Sequence, residues 1–78
     1  MAWALLVTEL DEARGHIEEL TDTMNKEGLI EESEYSAYLG HVYAHLNRAW
    51  HSRNQDGEIT DEQWPVYNQF PEDVNPVG

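Results

Sequence analysis

The chain has 78 residues, with 16 Asp and Glu against four Lys and Arg, for a formal net charge of −12. That length fits one small domain, which buries only about 60–65% of the surface its unfolded chain exposes. The charge argues against direct binding of nucleic acid or an anionic membrane, because phosphate contacts need Lys and Arg to release counterions.

The same balance favours a basic protein partner or a divalent cation. With no cysteine there is no disulfide framework, thiolate metal site or thiol nucleophile, and a reducing, cytoplasmic setting is expected. Residues 1–7 are apolar but lack a basic leader and soon meet Glu9, so neither a signal peptide nor a membrane span is expected. Eight aromatic residues and 40% apolar content set the chain apart from a solvated acidic tail.

Trp3, Leu6, Leu10, Ala13, Ile17, Leu20 and Met24 alternate three and four apart, the stripe of an amphipathic helix over about 3–26. Asp11, Glu12, Glu18, Glu19 and Asp22 fall on its opposite side. Gly15 inside this helix marks either a close helix approach or a weak spot. Gly28 supplies a left-handed C-cap with Leu29 folding back onto Met24, and Lys26 suits the negative end of the helix dipole.

A second helix is expected over about 32–52, its first turn acidic and Ser33 a candidate cap. Tyr35, Leu39, Val42, Leu46 and Ala49 or Trp50 repeat the spacing. The short link makes the two helices antiparallel. Residues 53–59 read as a turn, and Thr60 with Gln63 as a capping box. Pro65 restricts the next helical piece to a short one within 60–70. Trp64, Val66, Tyr67 and Phe70 supply a lid, and 71–78 an extended tail. The expected fold is therefore an all-α, antiparallel two-helix hairpin in a single domain, 1–78, with a short third helical segment and the tail packed across it.

Residues 52–63 resemble the twelve-residue calcium loop of the EF-hand family. Asn54, Asp56, Gly57 and Ile59 stand at the third, fifth, sixth and eighth loop positions, which in that family are two oxygen ligands, the turn glycine and an apolar residue. The resemblance implies a calcium site. Ser52 and Gln63, at the first and twelfth positions, depart from the acidic residues the family places there, and Pro65 is a poor start for the exit helix. His41 and His45 stand one helical turn apart, a spacing at which two imidazoles can share zinc, with a third ligand from Glu34, His16 or His51 or from another chain. The alternative places both rings beside the seam, bonded to Tyr hydroxyls or to carboxylates of the facing helix. His41, His45, Asn54 and Asp56 are thus metal candidates, and no cofactor is called for.

No nucleophile paired with a base, apolar carboxylate pocket or phosphate-cradling glycine loop stands out, so the reading is of a binding protein rather than an enzyme. Residues 46–53 gather two of the four cations with a tryptophan, either as an interface anchor or as ties to local carboxylates. Residues 1–34 carry ten acidic and two basic residues, a charge of −8. The expectation is an acidic protein-binding module of inhibitor, immunity, anti-defence or nucleic-acid-mimic type. It would meet a basic partner through Glu9, Glu12, Glu19 and Asp22, with Trp50 and Arg53 as further contacts. The alternatives are a self-associating helical module, a homodimer forming a four-helix bundle, and a cation-binding module.

Overall fold

The computed structural model describes residues 1–78 as an all-α hairpin: α1 (Trp3–Glu27), α2 (Glu32–His51) and a single-turn α3 (Trp64–Tyr67). Gly28, at φ 69°, ends α1, and its N–H bonds the Met24 carbonyl at 2.9 Å. Leu29 does not fold back as expected; it stays 81% exposed, because the chain turns straight into α2. Nor does Ser33 cap α2. Extended Glu31 (φ −73°, ψ 149°) is the N-cap residue without a side-chain bond, and Glu32 and Glu34 in the first turn complement the dipole instead. Gly15 has no atom near where a Cβ would stand, so it is a weak spot and not a close approach. Gly15→Ala should raise stability by about 0.5–1 kcal/mol in a urea titration; a lowered midpoint would refute this.

The helices lie antiparallel, joining Glu9 of α1 to Arg48 of α2 and stacking His16 on His41. The buried apolar core is small: Leu6, Ala13 and Leu20 from α1, with Val42 and Ala49 from α2. Here the structure corrects the expected stripe. From Leu6, Ala13 and Leu20, the seam continues through Glu9, His16 and Thr23, which are partly buried, and leaves Leu10, Ile17 and Met24 on the flank. Leu10 is 50% exposed, Ile17 46% and Leu46 41%, Trp3 lies largely in solvent, and Leu39 is only half-buried. The cause is the lid: residues 53–70 cover the side of the hairpin bearing Glu9 and Arg48, so polar groups that find partners there go inside.

The lid follows the local chemistry of its sequence. Gly57 takes φ 91° in the turn. Thr60 and Gln63 then form the expected capping box, Thr60 N–H donating to Gln63 Oε1 (3.0 Å) and Gln63 N–H to Thr60 Oγ1 (3.2 Å). Pro65 sits in the first turn of α3, where a missing N–H costs nothing. The chain returns along α2, with Phe70 edge-on to Tyr43 at 5.1 Å between ring centroids. No helix is long and apolar enough to cross a membrane.

Candidate functional site

Arg48 is the centre of the buried polar region. Its position three residues after His45 and opposite Glu9 brings its fork between both helices and the lid. Nε donates to Glu9 Oε2 at 3.0 Å, Nη1 to Asn68 Oδ1, and Nη2 to His45 Nδ1 at 2.9 Å. The guanidinium also lies over the Trp64 ring, 4.5 Å from its centroid, a favourable cation–π geometry. Asn47 adds a second tie to the lid, donating to the Asn68 carbonyl at 2.8 Å. No buried side-chain polar atom is left without a partner.

This geometry decides what the nearby carboxylates can do. Glu9, Glu12 and His45 bring ligand-type atoms close together, a grouping that could in principle hold a cation. A guanidinium can only donate, so the His45 Nδ1 facing Arg48 carries a lone pair. The 3.4 Å contacts of that atom with Glu9 and Glu12 therefore set acceptor against acceptor. Arg48 is the cation that Glu9 and His45 share, and a metal ion would have to displace it.

The other metal candidates are arranged differently from the sequence expectation. His16 of α1 stacks on both His41 and His45, at 5.1 and 5.2 Å between centroids and within 24° of parallel. Face-to-face rings do not converge their nitrogens on one ion as zinc requires. In the loop resembling an EF-hand, Ser52 Oγ donates to the Arg48 carbonyl at 2.7 Å, and Gln63 Oε1 already accepts from Thr60 and Gln55. Asn54 and Asp56 are exposed.

Trp50 and Arg53, expected as contacts for a partner, form an internal clasp. Arg53 stacks on the Trp50 ring at 3.8 Å and donates to the Trp50 carbonyl, while Trp50 Nε1 donates to Asp73 Oδ1 at 2.8 Å. That hydrogen bond, with Arg53 nearby, holds the Asp73 carboxyl below its usual 3.8. A lowered carboxyl pKa means that the clasp belongs to the ionised form.

Of the remaining expected site residues, Glu12, Glu19 and Asp22 stay exposed on α1, together with Asp11 and Glu18. Asp11 is paired with Arg14 at 2.6 Å on the surface. The carboxylates are unevenly spread: from Tyr35 to His51, α2 has none. Sequence reasoning missed Arg48, His16 and Asn68 as a joined group. The reading of residues 46–53 as ties to carboxylates holds for Arg48 with Glu9 and for Arg53 with Asp73, and its signal was an arginine in a stretch of α2, Tyr35 to His51, that has no carboxylate of its own. No protein-family model matches this chain, and neither a curated protein nor a solved structure shows significant similarity to it.

Proposed function

We propose that this protein is an acidic protein-binding module, which engages a basic surface on its partner through α1. The observation that carries this reading is the exposed carboxylate face of Asp11, Glu12, Glu18, Glu19 and Asp22, mounted on a 25-residue helix. The shallow depression along it is lined by Thr8, Asp11, Glu12, Arg14, Gly15 and Glu18, with no apolar residue. Such a surface offers charge complementarity and long-range steering rather than a cavity for a small molecule. Glu9 supports the fold through Arg48, and Trp50 and Arg53 hold the tail, so the binding surface is assigned to the outward carboxylates alone. An inhibitor or immunity-type protein, or a mimic of nucleic acid, would use a surface of this kind.

The test is affinity capture from native host cells with the wild-type chain and with the variant Glu12→Gln, Glu19→Gln, Asp22→Asn. The wild type should enrich a basic protein. Titrating that protein should show roughly tenfold weaker binding to the variant, and weaker binding to both as salt rises. Equal recovery by the two chains, or indifference to salt, would refute the reading.

A further inference from the structure

Trp3, Leu10, Ile17 and Met24 recur every seven residues along α1, and all four are at least 40% exposed. A strict seven-residue repeat keeps such side chains in one nearly straight row on a helix. On α2, Leu39 and Leu46 are likewise seven apart, with Tyr35 one turn before. Both rows are offset from the seam in the same rotational sense: Leu10 and Ile17 follow the buried Leu6 and Ala13 by four residues, and Leu46 follows the buried Val42 by four. In an antiparallel pair, equal offsets of this kind lie on the same side of the hairpin. The rows therefore make one apolar face, opposite the lid. Beyond Leu46 it runs into the groove formed by Tyr43, Trp50, Phe70 and Val74.

We infer that a second copy of this chain covers that face, so that the protein is a twofold-symmetric dimer built as a four-helix bundle. The area supports this occupant. The isolated chain exposes 6036 Å², whereas about 4,850 Å² is expected of a compact monomer of 9.0 kDa. The excess, about 1,200 Å² over the whole elongated chain, leaves room for the roughly 800 Å² each partner contributes to a standard interface. Charge does not prevent the pairing. The face is bordered on α1 by Val7, Arg14 and Thr21, and α2 has no Asp or Glu beyond Glu34, so the carboxylates of α1 point away from the second copy. Self-repulsion between two chains of −12 then acts only at long range.

Sedimentation equilibrium at micromolar concentration tests this. Wild type should have twice the monomer mass, and raising the salt should tighten the dimer by screening repulsion, opposite to the salt effect expected for the basic partner. Leu10→Gln with Ile17→Gln alters only exposed positions of the monomer. It should keep the helical circular dichroism and weaken the dimer roughly a hundredfold. Glu18→Gln with Glu19→Gln, on the opposite side, should leave the dimer intact. A wild-type monomer at these concentrations overturns the inference. So does a dimer indifferent to the Leu10 and Ile17 changes, or a monomer that floats with neutral phosphatidylcholine vesicles, which would assign the face to a bilayer.

Discussion

Arg48→Ala is expected to lower stability by about 3–5 kcal/mol, the usual result of removing one partner of a buried ion pair. The loss is compound. The Glu9 side chain, only 19% exposed, would be left with no cation beside it. Asn68 Oδ1 and His45 Nδ1 would lose their donor, and Trp64 the cation over its ring. Total stability is about 0.05–0.15 kcal/mol per residue in native proteins, so a loss of this size removes a large share of what a short chain has. The midpoint of thermal unfolding should fall by at least about 12 °C. Arg48→Lys should recover little, since an ammonium cannot repeat a planar fork reaching three acceptors. The paired change Glu9→Leu with Arg48→Met should recover much of the stability, because no charge is then left buried. A midpoint for Arg48→Ala within about 3 °C of wild type would show that the cluster does not hold the lid to the hairpin.

The second large effect separates two registers of α1. Leu20 is 6% exposed in the seam, and Leu20→Ala should cost about 2–3 kcal/mol, at the low end for buried leucine because the site borders solvent and can partly collapse. Leu10→Ala removes a half-exposed side chain. In dilute solution it should cost less than about 1 kcal/mol. Urea titrations of both variants at nanomolar concentration, followed by tryptophan fluorescence, make the comparison. If Leu10→Ala proved the more damaging, the helices would be packed along the row that the structure leaves exposed.

The contrast between Leu20 and Leu10 also shows how far the fold is legible from the sequence. Local chemistry was readable: Gly28 at the end of α1, the Thr60–Gln63 box and the brevity of the helix around Pro65 all follow from near-neighbour sterics and hydrogen bonding. The face of α1 was half legible, since Leu6, Ala13 and Leu20 belong to both candidate seams. Apolar spacing alone chose Leu10 and Ile17 for the second row. The structure instead uses Glu9 and His16, because Arg48, 39 residues from Glu9, supplies the compensating donor. A polar residue looks unfit for a seam until its distant partner is known, and periodicity carries no information about that partner. For the same reason the candidate site was only partly legible: Glu12, Glu19 and Asp22 are exposed as their helical positions imply, whereas Glu9 and Trp50 have partners 39 and 23 residues away, Arg48 and Asp73, that no local pattern announces.

The contrast between the carboxylates along α1 and an α2 that has none beyond Glu34 gives the molecule a permanent electric moment across the helix pair. A positively charged object exerts a torque on such a moment as well as an attraction. Tumbling then becomes biased within about one screening length, roughly 8–10 Å at physiological salt, before any atoms touch. Collisions are thereby enriched in those that present α1 first, a kinetic advantage that a uniformly acidic surface of equal net charge would lack.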